Sequence, residues 1–113
     1  MEAIELKLAR MAQTETYGDL TSTFTGDFNI AEDLGGIPAV KDTFDSAFAS
    51  WKHDVRYLAN LAIVTNLKSW QHAAGNPELS RLYAECYYAV RDFVYDDSPL
   101  SEADIRYFFE VTD

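Results

Sequence analysis

The sequence has one cysteine, two histidines and few basic residues, and each shortage excludes a class of protein. With Cys86 alone, the chain can form no internal disulfide and no cysteine-rich metal cluster. A lone thiol is typical of the reducing cytoplasm, so we expect a cytoplasmic protein. Nine Lys and Arg residues stand against 19 Asp and Glu, for a net charge of -10. This balance disfavours direct binding to nucleic acid or to an anionic membrane surface, because both require excess positive charge.

Long apolar runs are also missing. Residues 1–15 contain early acids and no continuous apolar core, so they do not have the pattern of a secretory signal peptide. No stretch approaches the roughly 18 apolar residues that a membrane-spanning helix requires. The length of 113 residues, of which 48% are hydrophobic, is sufficient for one domain with a core of its own.

Residues that would indicate catalysis or metal binding do not occur at the required spacings. His53 and His72 are 19 positions apart and belong to no His-Glu-x-x-His motif. Cys86 falls on a predicted apolar helix face beside Glu85, whereas a reactive thiolate needs an electropositive setting. The two glycines of "DLGGIPAV" lack the lysine and the spacing of a phosphate-binding loop. We therefore expect no enzymatic activity, no cofactor and no metal ion.

Apolar side chains recur every three to four residues through the middle of the chain, which is the spacing of an α-helix face. An unbroken helix over residues 38–74 would be about 55 Å long, more than the roughly 35 Å width of a domain this size. We therefore predict a break near residues 52–54, with Asp54 capping the second helix. The glycine pair at 35–36 is predicted to end the preceding element, and Pro38 to begin the next helix.

Two further helices are predicted from their capping residues. In "AAGNPEL", Gly75 is expected to end one helix, and Asn76 with Pro77 to begin another that extends to about residue 95. Ser101 is expected to cap a last short helix over about residues 101–110.

The first third of the chain leaves alternatives open. Residues 2–12 favour a helix, although their apolar side chains also alternate as in a strand. Residues 19–29 are rich in Thr and Phe around a Gly-Asp pair, which fits either a small hairpin or an irregular loop. We predict an all-α fold for the single domain 1–113: a compact bundle of four or five helices, with a possible short hairpin or irregular insertion near residues 17–34.

Helical spacing also predicts the core and the faces of the third helix. Six large side chains are expected to be buried together: Trp51, Leu58, Leu67, Trp70, Leu82 and Phe93. Along "LYAECYYAVRDFVY", Tyr83 and Tyr87 share one face, and Tyr88 and Tyr95 share another. One pair can be buried, so the other must be partly exposed. Exposed tyrosines beside acids suit a protein-binding surface; alternatively, they lie at the edge of the core with their hydroxyls in water.

Three stretches taken together resemble a known family: "GGIPAVKDTFDSAFASWKHDVRYLANLAIVTNLKSW", "AAGNPELSRLY" and "YFFEVTD". The family consists of small proteins of no established activity that phages and conjugative elements of gut bacteria carry. The similarity covers about residues 35–113. It implies a mobile-element context and an accessory protein that acts on host or plasmid machinery, and it implies no catalytic residues.

The two outer thirds of the chain hold the charge: residues 1–36 have a net charge of -5, and residues 75–113 have a net charge of -6. Residues 75–113 contain nine acids and three bases, and "DDSPLSEADIRYFFEVTD" mixes carboxylates with aromatics. If Ile105, Phe108 and Phe109 dock on the bundle, the neighbouring carboxylates are held on an anchored surface that faces water. Such a surface mimics DNA phosphates better than a flexible tail does, because less ordering entropy is lost on binding. The alternative is a solvated acidic face that only keeps the protein soluble.

From these patterns we predict a non-enzymatic interaction protein of a mobile element. It is expected to bind a basic, nucleic-acid-binding host protein, such as a defence nuclease, by DNA mimicry, as anti-CRISPR and anti-restriction inhibitors do. An alternative is a structural or assembly accessory protein that forms a homodimer or pairs with a partner through exposed aromatics. The predicted partner-binding residues are Asp96, Asp97, Glu102, Asp104, Tyr88 and Tyr95.

Overall fold

The computed structural model describes residues 15–52, 54–97 and 99–112, without the side chains of residues 15–20 and 51. These ranges contain four α-helices and a π-helical turn and no strand: α1 (Glu15–Trp51), α2 (Val55–His72), α3 (Pro77–Asp92), the π turn (Phe93–Asp97) and α4 (Glu102–Thr112). The predicted all-α bundle is confirmed. The helix predicted over residues 2–12 lies outside the described residues. None of the described helices is both long enough and apolar enough to cross a bilayer.

Helix α1 is interrupted at Gly36, which has φ 64° and ψ -145°. Residues other than glycine rarely adopt this conformation. An unbroken helix of its 37 residues would be about 55 Å long, whereas the molecule measures 37 × 28 × 24 Å. The two arms, residues 15–35 and 37–51, therefore lie side by side, and Asp27 of the first arm lines the same groove as Thr43 of the second. The predicted stop at the glycine pair is confirmed.

The hairpin or irregular insertion predicted near residues 17–34 is wrong, because this segment is helical. Its Thr and Phe content favours strands only weakly, since strand propensity depends on what the side chains pack against. Phe24, Phe28 and Ala31 recur at helical spacing, and all three are buried. Burial of this apolar face thus decided the secondary structure of the first arm.

The three predicted helix caps are confirmed. A side-chain oxygen of Asp54 accepts the N–H of Arg56 at 2.9 Å at the start of α2. Asn76 Oδ1 accepts the N–H of Leu79 at 3.2 Å at the start of α3. Before α4, Ser101 Oγ accepts the backbone N–H of the third residue on at 3.2 Å. Each cap satisfies a backbone donor that the first turn of a helix leaves without a partner.

Helix α2 runs through the centre of the bundle, in contact with α1, α3 and α4. Every residue from Leu58 to Thr65 is consequently buried. The predicted core is correct for Leu58, while Leu67, Leu82 and Phe93 are half-buried against it. The side chain of Trp51 is not among those that the structure describes.

The prediction that Trp70 is buried is wrong, because its side chain is 55% exposed. Near the C-terminal end of α2, Lys68 and Ser69 are still covered, but the side that carries Trp70 is open to solvent. The apolar spacing of the sequence therefore placed Trp70 on the wrong side of α2.

Candidate functional site

The acidic C-terminal region is anchored as predicted. Phe108 of α4 is fully buried, and Ile105 and Phe109 pack half-buried against the core. Glu102, in the first turn of α4, and Glu110, near its C-terminal end, are both exposed. The apolar side therefore holds the helix in place while these two carboxylates face water.

The remaining predicted acids lie around this helix. Asp96 and Asp97 are exposed on the π turn, and Val94 of the same turn is completely buried. Asp104 is half-buried and lines a surface groove of about 430 Å³. Tyr107 lines the same groove, and burial raises the pKa of its hydroxyl. Three of the four predicted carboxylates in this region are thus exposed, and Asp104 is half-buried.

Several basic side chains of the described residues form ion pairs with this chain's own acids. Arg56 Nη2 lies 3.0 Å from Asp54 Oδ2, and the hydrogen bond from Arg56 is the main cause of the lowered pKa of Asp54. On exposed surfaces, two further cations lie four positions from a carboxylate, in the pairs Lys41–Asp45 at 3.5 Å and Arg106–Glu102 at 3.8 Å. Exposed pairs of this kind add little stability. Because each pair neutralises one cation and one carboxylate, the surface is acidic through the excess of 19 acids over nine bases in the chain.

The predicted division of the tyrosines is confirmed. Tyr83 and Tyr87 are buried, whereas Tyr88 is 57% exposed and Tyr95 is 75% exposed. The ring of Tyr88 lies edge-on to Tyr87, with centroids 5.2 Å apart. The ring of Tyr95 contacts Phe109 of α4 edge-on, with centroids 6.1 Å apart. Each exposed ring is therefore supported on one side by a more deeply placed ring.

One guanidinium group lies between these ring pairs. Arg91 Nη1 donates a hydrogen bond of 3.1 Å to the hydroxyl of Tyr87. The same guanidinium lies 5.6 Å from the centroid of the Phe109 ring, within the range of a cation–π interaction. Arg91 thus contacts the more deeply placed ring of each pair, Tyr87 on α3 and Phe109 on α4.

A buried polar cluster joins α1, α2 and α3, and the sequence did not predict it. Glu32 of α1 lies at its centre: Lys68 Nζ is 2.9 Å from Oε2, and His72 Nε2 is 3.0 Å from Oε1. The hydroxyl of Tyr83 donates to Oε2 at 2.5 Å. Lys68 also donates to the side-chain oxygen of Asn29. The side chain of Lys68 is 7% exposed and that of Glu32 is 15% exposed, so this ion pair is shielded from water.

The electrostatics of the cluster favour the charged form of Glu32. Burial pushes the pKa of its carboxyl up, but the hydrogen bonds from Tyr83 and Lys68 and the nearby positive charges more than offset that effect, so the pKa is lowered. Burial, and then the bond to this carboxylate, raises the pKa of Tyr83. The rings of His72 and Tyr83 stack with centroids 5.8 Å apart. Lys68, Tyr83 and Glu32 satisfy one another, whereas His72 Nε2 lies 3.0 Å from Glu32 Oε1 without making a hydrogen bond. The bonded groups form a structural tie between helices.

Part of this cluster could have been read from the sequence. Lys68 falls four residues after Val64 on the buried face of α2, so a cation in the core was foreseeable from helical spacing. Its partner was not foreseeable, because the segment of Glu32 was interpreted as a hairpin or loop.

The other sequence-based expectations concern reactive groups. Cys86 is buried, as expected, and burial raises the pKa of its thiol to about 12. His53 lies outside the described residues, and His72 is the last residue of α2. Among the residues that the structure describes, no three His, Cys, Asp or Glu side chains are grouped as metal ligands would be.

Neither a protein-family model, nor a curated protein, nor a solved structure matches this chain. The resemblance to a family of mobile-element proteins therefore remains a prediction from the residues themselves.

Proposed function

We propose that this chain is a non-enzymatic interaction protein that binds a basic, nucleic-acid-binding protein through its acidic C-terminal region. The observation that carries the proposal is the placement of exposed Asp96, Asp97 and Glu102 on segments held by completely buried Val94 and Phe108. Carboxylates on an anchored surface lose little ordering entropy when they meet a partner. A flexible acidic tail would lose more.

The excess of negative charge in this region also supports a positively charged partner. From Pro77 to Thr112 the chain carries eight carboxylates and three arginines. Glu102 has an ion-pair partner, Arg106, but the contact is long and exposed. A surface with this excess of negative charge speeds association with a positively charged groove and discriminates against acidic partners.

In this proposal the partner's groove is the one that normally holds DNA or RNA, and the carboxylates take the place of phosphates. Occupation of that groove would inhibit the partner, as anti-restriction and anti-CRISPR proteins inhibit defence nucleases. The resemblance to proteins of phages and conjugative elements supports such a role. The proposal places the protein in the cytoplasm, together with nucleic-acid-binding proteins and a reduced Cys86 thiol.

The proposal is tested by capturing the partner from a lysate and by competing for it with DNA. The immobilised protein is exposed to a lysate of a gut bacterium, and the captured proteins are identified and eluted with double-stranded DNA or with salt. We expect the specific partner to be a nucleic-acid-binding protein that duplex DNA displaces. A partner that DNA leaves in place would contradict mimicry.

A pair of charge-reversal variants localises the contact. Asp97→Lys with Glu102→Lys should slow association with the captured partner and flatten its salt dependence. Asp33→Lys with Asp42→Lys changes the net charge equally on exposed positions of α1, so it is the matched control and should have a smaller effect. If the two double variants weaken binding equally, the C-terminal region is not the interface. If neither weakens it, the acids serve only solubility.

A second candidate function is self-association through exposed apolar side chains. Leu34, at 84%, and Ile30, at 59%, are exposed near the bend of α1, and Trp70 is exposed on α2. Sedimentation over a range of concentrations tests this alternative: a homodimer that Leu34→Glu with Ile30→Glu dissociates would support it, and a monomer at all concentrations would exclude it.

A further inference from the structure

The surface of α3 and the π turn carries two exposed tyrosines. Tyr88 lies on α3, and Tyr95 lies seven positions later on the π turn, which follows directly after Asp92. Their exposed fractions, 57% and 75%, are high for aromatic side chains. Helical π turns are rare and frequently occur at functional sites.

Both rings are pre-positioned. Tyr88 rests against Tyr87, whose own side chain is buried, and Tyr95 rests against Phe109, which packs on the core. Because neighbouring rings restrict their motion, little side-chain entropy is lost when a ligand covers them.

Carboxylates flank the tyrosines. Asp92 and Asp96 are four positions apart, and both are exposed. Neither has an ion-pair partner among the described residues. The face of an aromatic ring attracts cations, and a carboxylate accepts hydrogen bonds from them. We call Tyr88, Asp92, Tyr95 and Asp96 the tyrosine strip.

The molecule itself shows which cation suits this environment. The guanidinium of Arg91 is placed over the Phe109 ring and donates to the hydroxyl of Tyr87. These are the two rings that Tyr95 and Tyr88 contact. A planar guanidinium can stack on a ring while its N–H groups reach a neighbouring carboxylate. A lysine ammonium is a compact, strongly hydrated charge that cannot make both contacts as well.

We infer that the tyrosine strip binds arginine side chains of an arginine-rich segment on the partner's nucleic-acid-binding surface. This inference rests on the proposed function and specifies the chemistry of the partner. Arginine guanidinium groups stack on Tyr88 and Tyr95, and Asp92 and Asp96 accept their hydrogen bonds. The strip thereby adds selectivity for arginine over lysine to an otherwise general attraction for positive charge.

The experiment compares oligoarginine and oligolysine peptides of equal length as probes for the full chain at low and moderate salt. We expect the arginine peptide to bind about fivefold more tightly or better, since two cation–π contacts favour it. Tyr88→Leu with Tyr95→Leu should abolish this preference, whereas Tyr88→Phe with Tyr95→Phe should retain it because the rings remain. Asp92→Asn with Asp96→Asn should weaken both peptides and flatten the salt dependence.

The outcomes separate this inference from the function on which it rests. Equal, salt-dependent affinity for the two peptides would overturn the arginine selectivity and leave an acidic interaction protein. If the double leucine variant still prefers the arginine peptide, the preference does not come from the tyrosine strip, and the inference is wrong. If neither peptide binds, the proposed function fails as well. Circular dichroism checks that each variant is folded, and the two single leucine variants replace the double variant if it is not.

Discussion

The hydroxyl of Tyr83 donates a 2.5 Å hydrogen bond to Glu32 across 51 residues of sequence. This bond, with the Lys68–Glu32 ion pair, attaches the first arm of α1 to α2 and α3. Mutation of the Glu32 cluster therefore tests how much this contact between helices contributes to the stability of the fold.

Glu32→Gln should destabilise the fold by about 3 kcal/mol, because it leaves the ammonium of Lys68 buried without a counter-charge. Asp33→Asn, at the exposed neighbouring position, is the matched control and should change the free energy of unfolding by less than about 0.5 kcal/mol. Urea denaturation of both variants measures the difference. Equal values for the two variants would mean that the ion pair contributes no net stability.

The pH dependence of stability should identify the same carboxyl. The pKa of Glu32 in the folded state is below its ordinary value of 4.5, so its ionisation stabilises the fold above that pH, and this contribution is lost as the pH falls through the folded-state pKa. The gap in unfolding free energy between wild type and Glu32→Gln should therefore be largest at neutral pH and shrink below about pH 4.5. A gap that is the same at pH 3 and pH 7 would show that the carboxylate is not favoured by its surroundings.

Two aromatic truncations should differ sharply in their effects. Trp70→Ala should cost less than about 1 kcal/mol, since its side chain is 55% exposed. Phe108→Ala should cost about 3–5 kcal/mol, because it empties a completely buried position that anchors α4. Thermal and chemical denaturation check both values. A loss of several kcal/mol in unfolding free energy for Trp70→Ala would contradict the exposed position of this side chain.

The same glycine-to-alanine change should have opposite signs at two positions of α1. Gly36 has a φ of 64°, so alanine there should destabilise by about 1–3 kcal/mol through backbone strain. Gly26 lies within the helix, and a methyl group added there would point into open space, so alanine should stabilise by about 0.5–1 kcal/mol. Chemical denaturation of the two variants measures both changes. Loss of stability at both sites would argue that the first arm is not helical at Gly26.

The helix boundaries illustrate what could be predicted locally. Asp54, Asn76 and Ser101 begin helices because each side chain accepts a hydrogen bond from a backbone N–H two or three residues later. The division of the tyrosines on α3 followed in the same way, since helical geometry alone separates Tyr83 from Tyr88. The exposure of Asp96, Asp97 and Glu102 was also predicted from the sequence and is confirmed. The role of these carboxylates in binding a partner remains a prediction.

The tertiary structure decided the features that depend on residues far apart in sequence. Residues 17–34 became a helix because Phe24 and Phe28 found a core to cover them, which their own composition did not specify. Trp70 was left in solvent because its side of α2 faces water, while Lys68 and Ser69 on the neighbouring sides are covered. Local chemistry by itself determined where the helices begin and how their faces are divided. Only long-range packing could bring Glu32 to Lys68 and Tyr83, because a buried charge is stable only where the fold supplies its partner.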